Sequence, residues 1–103
     1  MSSYKSLSDF EVLQDVRALV RRNRIRFTVH AEERMAERGF DRSQVRDCLS
    51  SGFFVERPSL PNRNGVVEYK FNMQAVIDGD TMQVVASLRP DENVVVITVI
   101  DSN

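Results

Sequence analysis

The feature that most restricts how this chain can fold is a change of hydrophobic period at Gly52. Before it, apolar residues recur three and four apart. After it, they alternate or run together. A three-to-four spacing buries one side of a helix, and alternation buries one face of a strand. Helical segments first and strands second is the order of an α+β fold, with the helices on one face of a mainly antiparallel sheet.

Residues 8–23, SDFEVLQDVRALVRRN, predict an amphipathic helix. Phe10, Leu13, Val16 and Val20 follow the spacing, and Val12 and Leu19 widen the stripe. Ser8 and Glu11 stand at capping-box spacing, and Arg21 and Arg22 suit the negative end of the helix dipole. Residues 25–27 (IRF) read as a short strand or an extended entry. Thr28 is the expected N-cap of a helix over about 29–38 that Gly39 ends. Asp41 with Gln44 opens a third helix, which turns Val45, Cys48 and Leu49 inward and stops at Gly52.

Beyond it, residues 53–57 predict a strand and 58–65 a loop with an Asn64-Gly65 turn signal. Residues 66–73 alternate, with Val67, Tyr69 and Phe71 on one face and Glu68, Lys70 and Asn72 on the other. Residues 82–89 predict another strand, and Pro90 to Asn93 a turn. The β-branched run at 94–100, VVVITVI, reads as a central strand covered on both faces. The expected architecture is therefore α+β: N-terminal helices on one face of a mostly antiparallel sheet of about four strands, in one domain over residues 1–103.

Composition narrows the function. The chain has 103 residues, 42% of them hydrophobic. No apolar run approaches the ~18 residues of a membrane span, and the opening MSSYKSLSD lacks the apolar core of a signal peptide. The expectation is a cytoplasmic protein with no membrane partner. With one cysteine and one histidine, neither an internal disulfide nor a thiolate–imidazole metal centre is expected, and no cofactor is called for. Net charge is -1, whereas nucleic-acid-binding domains are usually basic. The distribution is more telling. Between Arg17 and Arg46 lie nine arginines and four acids. Arginine carries a fixed fork of donors suited to phosphate and carboxylate. Arg21, Arg22, Arg24 and Arg26, with Arg63 and Arg89, form the candidate nucleic-acid-binding set.

The lone histidine sits among arginines. On a helix turning about 100° per residue, His30, Arg34 and Arg38 fall near 0°, 40° and 80°. Ala31 and Met35 fall near 100° and 140°, the core-facing stripe, and Glu33 and Glu37 near 300° and 340°. Glu33–Glu37 and Arg34–Arg38 are like-charge pairs that each cost roughly 0.2–0.5 kcal/mol, part of which Arg34–Glu37 returns. The pattern points to an anion, or to a carboxylate elsewhere in the fold, that meets the arginines. A metal-free ribonuclease needs a base, an acid and cations for the charge that builds on phosphorus. Histidine as a residue type can serve as base or acid near neutral pH, and arginine clamps phosphate oxygens. Tyr69, Lys70, Arg63 and Arg89 complete such a site if the sheet faces the strip. The structural alternatives are a packed His30 bonded to backbone or carboxylate, ion pairs from Arg34 and Arg38 to Glu56, Glu68 or Asp101, and ordinary cross-strand pairing of Tyr69 and Lys70. Cys48 reads as a core residue.

The run Phe27-Thr28-Val29-His30-Ala31-x-x-Arg34-Met35-x-x-Arg38-Gly39, with the close Val96-Ile97-Thr98-Val99, resembles the small prokaryotic proteins grouped as domain-of-unknown-function family 4258. The order matches from about Ile25 to Ile100, and the helix over 8–23 lies outside it. That pattern is similar to the RelE and barnase-like toxin nucleases. The resemblance implies a RelE-like fold and metal-independent RNA cleavage with His30, Arg34 and Arg38 at the site, assisted by Tyr69 or Lys70, and a cognate antitoxin as partner. The slight acidity of the chain departs from the basic character of ribosome-dependent toxins. Two alternatives stand beside this: a non-catalytic module that binds nucleic acid or an acidic protein through residues 21–26, and an oligomeric structural protein, such as a homodimer, joined through the apolar helix or a sheet edge.

Overall fold

A computed structural model describes residues 7–59 and 67–101. Arg63 and the Asn64-Gly65 turn signal lie outside the described residues. Three helices precede most of a sheet: α1 (Asp9–Arg21), β1 (Ile25–Phe27), α2 (Val29–Arg38), α3 (Arg42–Ser51), β2 (Phe53–Ser59), β3 (Tyr69–Ile77), β4 (Asp80–Arg89) and β5 (Asn93–Asp101).

Each helix starts where its local signal places it. The Ser8 hydroxyl accepts from the Glu11 amide at 3.1 Å, and the Glu11 carboxylate accepts from the Ser8 amide at 2.8 Å. Asp41 and Gln44 form the same reciprocal box at the start of α3. Each satisfies donors that a helix N-terminus leaves without acceptors. The buried stripe of α1 is centred on Val12, Val16, Leu19 and Val20; Phe10, expected inward, is exposed.

The sheet has five strands in the order β1-β5-β4-β3-β2, one more than the sequence led us to expect. It is mixed, because β1 runs parallel to β5 while all other neighbours are antiparallel. Residues 25–27 are too few to show a period of their own. They become a strand because β5 recruits them: the Val94 amide donates to Arg24 O at 3.0 Å, and the Thr28 amide to Val96 O at 3.1 Å. The second strand is also longer than expected, reaching Ser59 through Pro58. A sheet edge tolerates proline, since no partner needs its missing donor. Asp78 and Gly79, with φ of 52° and 86°, close the two-residue turn between β3 and β4.

The helices cover one face of the sheet. Tyr69, Phe71, Met73, Ala75 and Ile77 of β3 point into the core with Met82, Val84, Ala86 and Leu88 of β4. The alternate residues Lys70, Asn72, Gln74 and Val76 line the opposite, open face. The run at 94–100 is therefore covered fully on one face only. Val94, Val96 and Val99 are buried, Val95, Ile97 and Thr98 are half-buried, and Ile100 is exposed. Its β-branched content reflects its place between β1 and β4. The phase of its alternation slips at Ile97. Val85 pairs with Thr98 but Ala86 with Val96, so Ile97 is the extra residue of a bulge.

Gly52 ends α3 for lack of room. Its φ of -82° suits any residue. A Cβ there would lie 2.6 Å from the carbonyl oxygens of Cys48 and Gln74, and 2.8 Å from the Met73 Cγ.

Candidate functional site

The slip in β5 sets where α2 begins. The Thr28 hydroxyl accepts from the Ala31 amide at 3.0 Å, the expected N-cap, and donates to Ile97 O at 3.1 Å. One side chain thus ties the first turn of α2 to the bulged carbonyl of the central strand. The other end closes at Gly39, in the left-handed region with φ 74°. Ala31 and Met35 are buried against the core, which leaves the flank bearing His30, Arg34 and Arg38 to solvent. Glu32, on another flank, pairs with Arg42 at the start of α3, and the Arg42 guanidinium lies 4.9 Å from the centre of the Phe27 ring. The helix is held by its ends and by two core side chains.

His30 and Arg38 are exposed, and among the described residues neither makes a side-chain hydrogen bond or ion pair. Arg34 is half-buried and meets Glu37, three residues on, at 3.3 Å. It does not reach Glu56 or Glu68; Glu68 pairs with Arg89 at 3.2 Å. Ala31 and Glu32 donate their amides to Thr28, so the amides of Val29 and His30 have no acceptor within the helix. The strip therefore begins at two free amides and runs through an imidazole and two guanidiniums, over roughly 12 Å of helix.

The sheet does not complete it. Tyr69 is 3% exposed, and its hydroxyl accepts from the Leu7 amide at 2.8 Å, on the helix-covered face. Lys70, its neighbour, points to the open face and is exposed. Adjacent strand residues face opposite ways, so the fold cannot turn both towards α2. Arg89 also belongs to the open face, beside Glu68. Arg21, Arg22, Arg24 and Arg26 are exposed around the α1–β1 turn. Asn23, with φ 61°, makes that turn, and Arg46 of α3 holds it through Asn23 Oδ1 at 2.6 Å and Val20 O at 3.3 Å. Nothing in the local sequence marks Arg42 and Arg46 as functional. Their partners lie 10 and 23 residues away in the chain, outside any local pattern.

Cys48 is fully buried, with its sulfur 3.7 Å from Met73 O and 3.8 Å from Met82 O. Burial pushes its thiol up from 9.0 to about 12, against a smaller lowering by a backbone hydrogen bond from Ala75. It is a core residue. Among the described residues no group of three or more His, Cys, Asp or Glu is arranged to hold a metal ion. No described helix is long and apolar enough to cross a membrane.

The model of a family described as a domain of unknown function, DUF4258, matches residues 27–101. The match opens one residue before Thr28 and takes in α2, α3 and β2 to β5, leaving α1 outside. No curated protein and no solved structure matches the chain.

Proposed function

The chain belongs to the DUF4258 family, and on that footing we propose that it is a metal-independent RNA endonuclease of the toxin type, working from the α2 strip. The carrying observation is the state of His30: an exposed imidazole with no partner among the described residues, on the same flank as Arg34 and Arg38. A histidine kept for structure is packed or bonded, and this one is neither. In the reaction, His30 takes the proton of a ribose 2′-hydroxyl. The 2′-oxygen then bonds to phosphorus, the bond to the 5′-oxygen breaks, and the departing oxygen takes up a proton from water. The products are a 2′,3′-cyclic phosphate and a 5′-hydroxyl end. Arg34 and Arg38 offset the negative charge that builds on the phosphate oxygens. The order of helices followed by an antiparallel β2–β5 sheet supports a likeness to the RelE and barnase-like nucleases, a fold-level analogy. On this reading the partners are RNA and a cognate antitoxin, and the compartment is the cytoplasm.

A second reading, non-catalytic RNA binding through the same strip and the Arg21–Arg26 turn, is favoured by one observation. Tyr69 and Lys70 do not join His30, so no second proton-transfer group among the sequence candidates stands beside it. One experiment separates the two. Wild type and His30→Ala are incubated with a mixed RNA pool in EDTA, and product ends are mapped. Cleavage by wild type alone, with cyclic phosphate ends, supports the enzyme. Binding by both proteins that weakens steeply with salt, without cleavage, supports the module.

A further inference from the structure

A cavity of about 320 Å³ opens at the β2 edge of the sheet, lined by Glu56, Arg57, Ser59, Lys70, Phe71 and Val85. It exists because β2 is irregular. The pairing of β2 with β3 shifts between Phe54 and Glu56, and again between Glu56 and Ser59. Bulges of this kind bend an edge strand away from its neighbour. Phe71, whose side chain faces the core, borders the seam they open.

Register places the polar groups around this seam. Glu56 stands opposite Asn72, which stands opposite Val85; Ser59 stands opposite Lys70, which stands opposite Ser87. Residues directly opposite share a face. The Glu56 carboxylate and the Asn72 amide thus occupy one row, and the Lys70 ammonium the next. Asn72 gives its nitrogen to Gln83 Oε1 at 2.8 Å, while its Oδ1 is buried with no partner. The Ser87 hydroxyl, on a side chain in a residue 6% exposed, is likewise buried and unpaired. The Arg57 guanidinium is drawn off by Asp9 at 2.8 Å. The seam therefore offers the Glu56 carboxylate as an acceptor, the Lys70 ammonium as a cation, and apolar surface from Val85, with Phe71 at its border.

A bare phosphate would face Glu56, and a plain hydrocarbon would leave that carboxylate unpaired, a costly state once water is displaced. A nucleotide meets all of these groups: amino hydrogens for Glu56, a ring for the apolar surface, and a phosphate for Lys70. We propose that this seam binds one nucleotide of single-stranded RNA whose base carries an amino group, adenine, cytosine or guanine, in preference to uracil. For the polymer this rests on the RNA reading above. Lys70 lies in one row with Ser87, Val95 and Arg26, so a strand leaving the seam crosses the open face to a second cation at β1, from which the chain enters α2.

The test titrates AMP, CMP, GMP, UMP and inorganic phosphate into the full chain, followed by backbone amide NMR. The expected shifts fall at residues 56–59, 70–72 and 85–87. At least one amino-bearing nucleotide should bind about tenfold tighter than UMP or phosphate, the size of one lost hydrogen-bonded contact. Glu56→Gln should erase that preference, and Lys70→Gln should weaken every nucleotide and flatten the salt dependence. Equal binding of UMP and the amino-bearing nucleotides, shifts confined to α2, or no shifts at all would each overturn the proposal. The readout needs no cleavage, so an inactive strip leaves it standing, and a nucleotide-blind seam leaves the cleavage test of His30 standing.

Discussion

α2 and α3 are each ten residues long, each opens at a polar cap and each ends at a glycine, yet they answer to different demands. α3 sinks Val45, Cys48 and Leu49 wholly into the core, and its glycine is fixed by the backbone pressed against it. α2 buries only Ala31 and Met35, and its glycine stands in open space with a left-handed backbone. One helix is placed by packing. The other is pinned at its ends, and its flank is left exposed. The same surface pattern of cap, helix and glycine thus arises once from volume and once from conformation.

Five tests would break or sharpen that contrast. At neutral pH the largest effect belongs to Gly52→Ala. Its Cβ has no free space, and the clash should cost about 3 kcal/mol in urea unfolding; a loss below about 1 kcal/mol would mean that the α3–β3 seam relaxes easily. Next is the buried thiol of α3. Its value in the fold, about 12, lies above the 9.0 of the exposed group, so the unfolded chain releases its proton first. That contribution is whole below pH 9 and is lost between about pH 9 and 12, by roughly 1.4 kcal/mol per pH unit at most. Wild type should lose more stability than Cys48→Ala over that range, and parallel curves would count against it. Thr28→Val removes both the cap and the bond to Ile97 O, for about 2 kcal/mol, and Thr28→Ser should restore most of it. Gly39→Ala, strained only by its backbone, should cost about 1 kcal/mol. Smallest of all, His30→Ala and Arg38→Ala should leave the unfolding free energy within about 0.5 kcal/mol of wild type, as exposed side chains without partners among the described residues. A large loss in either would return the strip to a structural role.

Much of the local structure was legible. Ser8 with Glu11, Thr28, Asp41 with Gln44, and Gly39 all act within a few residues of themselves, and each stands where the sequence placed it. The inward stripe of Val45, Cys48 and Leu49 and the faces of Tyr69 and Lys70 followed from period alone. The α2 strip was legible as a helix flank, because its neighbours three and four residues apart are set by helix geometry. The completion of that strip by the sheet was not legible. Whether Tyr69 or Lys70 can approach it depends on which face the helices cover, and that is a property of the assembled layers. The seam at Glu56 was also hidden, since a register shift leaves no mark in one strand read alone.

By itself, then, the sequence determined the helices, their caps, the alternation of β3 and the α+β class, all of which depend on interactions a few residues long. Only the tertiary structure decided that residues 25–27 become a fifth strand, that Ile97 bulges to receive Thr28, and that Gly52 must lack a side chain. Each of these depends on backbone groups brought together from distant parts of the chain. Hydrogen-bonding groups of a sheet are satisfied by whichever strand lies alongside, and the choice of that neighbour is made by the packing of the whole core.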